Sequence, residues 1–303
     1  MADIEVVKLL DKGLYLEQIY KVQDYIERNI EMPLKAEALS RLVGFSPFHF
    51  QRVFSLVTGE SLHSFIKRIR LEKAAYLLLS DPSRSILDIA LHVGFSNQAS
   101  FAKAFKSRFE MSASQYRKNK KTYSKSNFLP KRIVNQDMNV KPLSIEVKVE
   151  HEIQVIYVRY SGPYKGDSQL FTSLFEKLYQ WAGQRQLINE KSRWFVIYHD
   201  QGDETDEDAL RLSVCLSVEG NVAVGGSIGL MCLPEGKYGV GRFKVNAQEY
   251  GKAWYHMYTE WIENSPYTLD DRYAFEHYPP QSEEEDVQES LKKQVVEIYI
   301  PIQ

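Results

Sequence analysis

The feature that most constrains the fold of this chain is a turn motif that occurs twice, fifty residues apart. Gly44-Phe45-Ser46 recurs as Gly94-Phe95-Ser96, and each copy lies between two segments whose apolar residues have helical spacing. Glycine permits a tight turn, and we expect the serine to cap the following helix. Each turn is followed by two phenylalanines that share one helical face: Phe50 with Phe54, and Phe101 with Phe105. The pattern predicts two helix-turn-helix units in an all-α region.

Charge is divided unequally along the 303 residues. Up to Arg132 the sequence holds 22 Lys and Arg against 13 Asp and Glu, and beyond it 16 against 27, which leaves a net charge of −2. A basic first part suits a polyanion such as DNA, although an ordinary solvated surface could carry the same charge.

The helix after each turn has a polar face opposite its phenylalanines, and this face could read base edges in a major groove. Arg and Lys suit guanine, Gln and Asn suit adenine, and an exposed aromatic ring suits the thymine methyl group. One polar residue on such a face is more often merely solvated, but two matching units in a basic region favour DNA reading. The candidates are Phe48, Gln51, Arg52, Asn97, Gln98, Ser100 and Lys103.

Residues 20–118 resemble the DNA-binding domain of AraC/XylS-type transcription regulators. Beside the two turns, the resemblance is carried by the run 48–54 and by Thr58-Gly59-Glu60-Ser61, Arg70-Leu71-Glu72-Lys73-Ala74, Ile89-Ala90, Phe105-Lys106 and Tyr116-Arg117. It implies two helix-turn-helix units joined by a long helix, with both recognition helices in successive major grooves, so a monomer can suffice. It also implies base contacts by Phe48, Gln51, Arg52, Gln98, Ser100 and Lys103.

The second part of the chain changes to the apolar-polar alternation of strands after Asn139. Helical spacing interrupts it at residues 168–186 and 248–262, so the order is strand, strand, helix, strand, strand, twice over. We expect the copies to begin near Leu143 and Gly229, and Gly162-Pro163-Tyr164 to correspond to Gly236-Lys237-Tyr238. The predicted fold class is multidomain, an all-α double helix-turn-helix domain followed by an α+β domain of two pseudo-symmetric repeats. The predicted domains are residues 1–120 and 139–303, with a polar, basic linker at 121–138.

Residues 138–303 resemble the GyrI-like (SoxS/Rob-type) effector-binding domain. The resemblance is carried by Ala274-Phe275-Glu276-His277-Tyr278 and by the closing strand that ends Ile298-Tyr299-Ile300-Pro301. It implies that Glu276 lies in an aromatic pocket and pairs with a cationic or polar ligand, whereas the sequence without the resemblance favours a solvent-facing strand residue.

Aromatic rings beside such a carboxylate would attract lipophilic cations, at about 0.5 to 2 kcal/mol per ring. Glu276 and Tyr278 share one face of their strand because side chains alternate. Each remaining wall candidate, taken singly, is more often a core residue than a ligand contact, and we place Trp181, Tyr258 and Trp261 in the core. The effector-binding candidates are Glu276, Tyr278, Tyr164, Trp194, Tyr198 and Trp254.

Several features argue against other classes of protein. Cys215 and Cys232 are too few for a disulfide framework or a zinc site, and the acidic runs 203–208 and 283–286 lack the spacing of a calcium loop. The sequence therefore predicts no metal, no cofactor and no catalytic residue. The first residues lack a basic stretch followed by an apolar run, and no later segment reaches about 18 apolar residues, so we expect a cytoplasmic protein with no membrane partner.

The leading interpretation is a transcription regulator that is not an enzyme. It would bind promoter DNA, act as an activator with RNA polymerase, and respond to a small lipophilic, cationic effector. One alternative is a small-molecule hydrolase that uses Glu276 as a base. The other is a ligand-free protein-interaction module.

Overall fold

The computed structural model describes residues 12–118, 140–200, 205, 207–280 and 293–303. It divides into two compact units, one of residues 1–120 with 223–230 and the other of residues 121–222 with 231–303. The predicted linker at 121–138 lies outside the described residues, as does the acidic run 283–286. The domain boundaries stay a prediction.

Residues 12–118 of the first unit form helices joined by short turns, as their apolar spacing predicts. The helices are α1 (Lys12–Arg28), α2 (Ala36–Leu42), α3 (Pro47–Thr58), α4 (Leu62–Ser80), α5 (Ile86–His92), α6 (Gln98–Phe109) and α7 (Ala113–Lys118). Helices α2 and α3 form the first helix-turn-helix unit, α5 and α6 form the second, and α4 joins them. The paired phenylalanines are buried as expected, since Phe50, Phe54, Phe101 and Phe105 are each 0% exposed.

The caps of the two recognition helices differ from our expectation. Ser46 caps α3, because its hydroxyl accepts a hydrogen bond from the backbone N–H of His49 at 3.3 Å. Ser96 does not cap α6. Asn97 does so instead, accepting from the N–H of Ser100 at 2.8 Å, because α6 begins one residue later relative to its turn.

The glycines of the two turns both have left-handed backbone conformations, with φ of +69° at Gly44 and +85° at Gly94. Their surroundings differ. A side chain at Gly44 would meet nothing within 4 Å, whereas a Cβ at Gly94 would lie 2.5 Å from the carbonyl oxygen of Ile30 and 2.6 Å from Nη2 of Arg70. Arg70 links helix α4 to the turn after α1, because its guanidinium donates hydrogen bonds to the carbonyl oxygens of Ile30 and Met32.

The described part of residues 140–303 contains one eight-stranded sheet, two longer helical segments and a short 3-10 helix at Glu207–Ala209. Its strands are β1 (Ser144–Glu150), β2 (Ile153–Ser161), β3 (Trp194–Tyr198), β4 (Arg211–Ser217), β5 (Ile228–Leu233), β6 (Gly236–Val245), β7 (Phe275–Tyr278) and β8 (Gln294–Pro301). Helix α8 (Ser168–Gly183) follows β2. After β6 come α9 (Tyr250–Tyr255), a π-helical segment (His256–Trp261) and a 3-10 turn (Ile262–Asn264). The helix expected at 248–262 is therefore irregular over its second half.

The order of strands confirms the predicted duplication. The sheet runs β1-β6-β8-β7-β3-β4-β2-β5, and exchanging each strand of the first repeat for its counterpart in the second gives the same order reversed. The repeats meet at the antiparallel pair β3-β7, where the pseudo-twofold axis lies. Each repeat donates its first strand to the other, since β1 pairs with β6, and β5 lies beside β2.

One expected correspondence between the repeats is wrong. Gly162-Pro163-Tyr164 follows the end of β2, whereas Gly236-Lys237-Tyr238 opens β6, the counterpart of β2. The two tripeptides therefore occupy different places. Positive φ values, +134° at Gly162 and +140° at Gly236, account for glycine at both positions without a shared origin.

Candidate functional site

The candidate residues of the first unit lie on the outer faces of α3 and α6. Phe48 is 82% exposed, so its ring is not part of the hydrophobic core. All the predicted positions are exposed: Phe48, Gln51, Arg52, Asn97, Gln98, Ser100 and Lys103. The face is therefore open to a partner, while base contact by these side chains stays a prediction.

Aligning the two helices by their caps brings one pair of candidates to the same position. Since Ser46 corresponds to Asn97, Arg52 corresponds to Lys103, and both are exposed. Asn97 has a structural role already, because its carbonyl oxygens accept from the backbone and the hydroxyl of Ser100. The side-chain oxygen of Asn97 and the hydroxyl of Ser100 are both hydrogen-bonded within the cap. To contact a base, each would have to break that hydrogen bond or form a second one.

The second unit places Glu276 at the centre of the sheet. The segment Phe195-Val196-Ile197-Tyr198 of β3 matches Phe275-Glu276-His277-Tyr278 of β7, and Val196 faces Glu276 in the pairing of these strands. Glu276 therefore lies at the pseudo-twofold axis, where the first repeat has an apolar side chain. The solvent-facing alternative is wrong, since Glu276 is 0% exposed.

Three neutral groups hold the carboxylate of Glu276. The hydroxyls of Tyr278 and Tyr198 donate to Oε2 at 2.7 and 3.0 Å, and the indole N–H of Trp254 donates to Oε1 at 2.7 Å. Tyr198 and Tyr278 are related by the pseudo-twofold, so the duplication directs two symmetric hydroxyls at one carboxylate.

Burial raises the pKa of the Glu276 carboxyl, and the hydrogen bonds from Tyr278, Trp254 and Tyr198 offset this in part. The pKa values of Tyr198 and Tyr278 are also raised, first by burial and then by the neighbouring charge of Glu276. Within the described part of the chain, Glu276 has hydrogen-bond partners but no cationic one. A bound cation could therefore supply the missing charge.

Aromatic rings extend from this carboxylate in two directions. On one side Tyr198 contacts Tyr164 at 5.6 Å and Trp254 at 6.0 Å between ring centroids. On the other side Phe175 lies between Tyr278 and Trp194, at 5.6 and 5.8 Å. The structure thus groups all six predicted effector residues on this face of the sheet.

Three aromatic residues of this face were missed or assigned to the core. Tyr258 stacks on Trp254 at 5.8 Å, and Tyr179, which is 60% exposed, stacks on Trp194 at 6.5 Å. Phe175 and Tyr179 stand four residues apart on α8, a spacing that could have indicated a shared face. The match of Phe-Val-Ile-Tyr to Phe-Glu-His-Tyr could have marked the symmetry axis.

A second carboxylate near this site is neutralised. Asp200 accepts hydrogen bonds from Arg211, the shortest at 2.7 Å, and both side chains are buried. Burial, and then the charges of Asp200 and Glu276, raise the pKa of Tyr164 well above its usual range. Asp200 thus has a cationic partner, whereas the hydrogen-bond donors to Glu276 in the described part of the chain are all neutral.

The described ranges contain neither a grouping of three or more potential metal ligands nor a helix long and apolar enough to cross a bilayer. Neither Cys215 nor Cys232 forms a disulfide bond.

These features define a class of protein in which a pair of helix-turn-helix units is joined to a duplicated α+β unit with a buried acid among aromatic rings. Comparison with known families agrees. Residues 39–119 match the helix-turn-helix domain, and residues 144–303 match the GyrI-like small molecule binding domain. The chain belongs to the GyrI-like family and is an AraC-type DNA-binding transcription regulator with a GyrI-like small-molecule binding domain.

Several known proteins are similar to part or most of this chain. The Transposon Tn10 TetD protein of Escherichia coli is 37% identical over 110 residues, which are 36% of this chain and 79% of TetD. The transcriptional regulator Rob of Salmonella typhimurium is 36% identical over 94 residues, 31% of this chain and 32% of Rob. The EcmrR-DNA complex has a TM-score of 0.44 and 14% identity, covering 93% of this chain and 98% of that one.

Proposed function

We propose that this regulator activates transcription when its GyrI-like domain binds a lipophilic organic cation at Glu276. A buried carboxylate with only neutral partners carries the proposal, since an acid of this kind gains most from a ligand that brings positive charge. The surrounding rings suit such a ligand because their faces attract cations and their edges are apolar.

The acid site is closed by its own side chains, so a ligand would have to displace at least one of them. Trp254 is the candidate lid, because it lies on the short helix α9 directly before the π-helical segment. Short π-helical segments are often found at functional sites, where they allow a change of helical register. Movement of Trp254 would expose Oε1 of Glu276 while both tyrosine hydrogen bonds to Oε2 remain.

On the DNA side, we propose that α3 and α6 read base edges through the exposed candidates on their outer faces. Arg52 and Lys103 hold matching positions, so they are proposed to contact guanines in the two half-sites, with Gln51 and Gln98 on adenines. Phe48 would contact a thymine methyl group. Ser100 and Asn97 are secondary, because their polar groups already cap α6.

Regulation then follows from linkage. An effector can change the output only by its differential affinity for the active and inactive states of the bound protein. Productive contact with RNA polymerase at a promoter would be the active state, and such a protein would act in the cytoplasm.

The hydrolase alternative has one observation in its favour, the raised pKa of Glu276, which suits a general base. The two hydroxyl groups that donate to this carboxylate compete with a water molecule for the same lone pairs. We therefore favour binding without turnover, in line with relatives that are named as regulators.

The first experiment is titration of the full chain with tetraphenylphosphonium, followed by tryptophan fluorescence. We expect micromolar binding in the natural protein and loss of binding in Glu276→Gln. The matched control is Glu260→Gln, an exposed acid of the π-helical segment, which should bind as the natural protein does. Equal binding by Glu276→Gln would refute the site, and consumption of an ester substrate that requires Glu276 would favour the hydrolase.

A further inference from the structure

Strand β1 lies at one end of the eight-stranded sheet, with β6 as its neighbour on one side. Within the described residues no strand pairs with its other side. The edge of a sheet presents backbone N–H and C=O groups that can pair with another strand. What pairs there depends on the side chains that β1 presents on its two faces.

One face of β1 is apolar and exposed. Val147 is 40% exposed, Val149 is 68% exposed, and Leu143 just before the strand is 61% exposed. Strand alternation places these side chains on the same face. Exposed apolar residues along an unpaired edge are uncommon in a monomeric protein, because they invite association.

A groove runs beside this apolar face, between β1 and the segment that follows α9. Its cavity is about 600 Å³. The floor of the groove is formed at Gly239 of β6, which pairs with Val147. Glycine is needed there because the ring of Trp261 lies against the Gly239 backbone and leaves no room for a side chain. The groove is lined by Val147, Trp261 and Tyr267 among others, so it can receive apolar side chains from a strand added to β1.

The other face of β1 carries alternating charges. Glu146 and Lys148 are 56% and 33% exposed, and Lys148 Nζ lies 3.0 Å from Glu146 Oε1 within the same strand. Their positions are symmetric about Val147. Glu150 at the end of the strand is instead occupied by Arg193, at 3.0 Å.

We propose that β1 is a self-pairing surface through which two copies of the chain form an antiparallel dimer centred on Val147. In this register Glu146 of each copy lies opposite Lys148 of the other, and Ile145 lies opposite Val149. Both opposite-charge pairs and both apolar pairs form at once, since the strand is complementary to its own reversed copy. A foreign strand would have to supply this pattern separately.

The symmetry of the surface also limits the assembly. A twofold interface uses the same patch on both copies, so it closes at a dimer and leaves no second β1 edge. The axis passes between the two copies of Val147. Backbone hydrogen bonds can form in this register whether Val147 or its two neighbours direct their N–H and C=O groups toward the other copy. The proposal does not depend on an effector, and it would bring two double helix-turn-helix units into one particle.

The test is a charge exchange across the proposed axis, measured by sedimentation equilibrium of the full chain. A single added pair of strands makes a small interface, so we expect the natural protein to dimerise weakly, with a dissociation constant on the order of 1 to 100 μM. Lys148→Glu places glutamates opposite each other, and Glu146→Lys does the same with lysines. Each single change should weaken the dimer at least about tenfold, and the double change Glu146→Lys with Lys148→Glu should restore it within about threefold.

The exchange also restores the ion pair within the strand, so thermal unfolding of the single variants is the control: a melting temperature equal to that of the natural protein separates lost pairing from a structural defect. Added salt should narrow the difference between the single variants and the natural protein. A monomer at every concentration up to about 200 μM would overturn the proposal. So would a dimer that both single variants retain, or a double variant that stays as weak as the singles.

Discussion

Val196 lies directly opposite Glu276 in the pairing of β3 with β7, at the position that the pseudo-twofold axis relates to it. The duplicated domain therefore has one carboxylate where a symmetric protein would have two or none. Two acids at this distance would repel each other, and two valines would offer nothing to a cation. The single carboxylate lies at the axis, where side chains from both repeats can reach it.

Replacing Glu276 by Gln should stabilise the protein in the absence of a ligand. The pKa of Glu276 is raised by burial, so its contribution to stability is full below its ordinary pKa and is lost as the pH rises through the raised value. The amide avoids this loss, and both tyrosine hydroxyls can turn to accept from it. We expect a gain on the order of 1 to 3 kcal/mol at pH 8 and almost none at pH 5.

Calorimetry of the full chain at both pH values measures this difference. The matched control is Glu260→Gln, whose exposed side chain should give little change at either pH. A Glu276→Gln variant less stable than the natural protein at pH 8 would mean that the ionised carboxylate does not destabilise the folded protein.

Affinity for a cation should rise with pH, because a proton competes for the same carboxylate. Tyr278→Phe removes a hydrogen bond that lowers the pKa of Glu276, so the rise should shift to higher pH. Tyr198→Phe should shift it less, since its hydrogen bond is longer, at 3.0 Å against 2.7 Å. Titrations with tetraphenylphosphonium between pH 5 and pH 9 test the order of the two shifts. A neutral derivative of tetraphenylmethane is the control, and its binding should not depend on pH. A flat profile would exclude Glu276 as the cation's partner.

Much of this architecture could be predicted from the sequence, and the failures have physical causes. Apolar spacing and the repeated turn locate the helices of the first unit, because local periodicity determines which face is buried. The order of strands in the sheet depends on pairings between distant segments, which no local pattern contains. The burial of Glu276 likewise depends on Trp254, which is far from it in sequence and donates to it across the fold.

The cap of α6 shows how a local prediction can fail by one residue. Ser96 and Asn97 are adjacent, and both residue types are good caps. The turns repeat after fifty residues, whereas Phe50 and Phe101 are fifty-one apart, so the sequence already contained the shift.

Alanine substitutions at the caps should reflect that shift. Ser46→Ala and Asn97→Ala should each destabilise the first unit by about 1 kcal/mol, since each removes an acceptor for a helix N–H. Ser96→Ala should have almost no effect, although the motif makes it look equivalent to Ser46. Thermal unfolding of the three variants decides the matter. A loss at Ser96 equal to that at Ser46 would contradict the structure.

Arg52→Ala should relax the preference of the protein at one base pair and weaken specific binding by about 1 to 3 kcal/mol. Lys103→Ala should do the same at a base pair about one helical turn away, since the two residues hold matching positions. Lys67→Ala on α4 is the control, an exposed cation outside both recognition helices, and it should alter no base preference. Binding of a randomised DNA library followed by sequencing measures this. Equal weakening on specific and random DNA would remove the base-reading role of Arg52.

The two turn glycines should respond differently to alanine. Both have positive φ, so each substitution carries a backbone cost of about 1 to 2 kcal/mol. At Gly44 the methyl group enters open space and nothing is added. At Gly94 it would collide with the carbonyl oxygen of Ile30 and with Arg70, whose hydrogen bonds hold these segments together. We expect a further loss of about 1 to 3 kcal/mol there. Urea unfolding of both variants measures the gap, and a Gly94→Ala variant as stable as Gly44→Ala would show that the second turn is not packed as described.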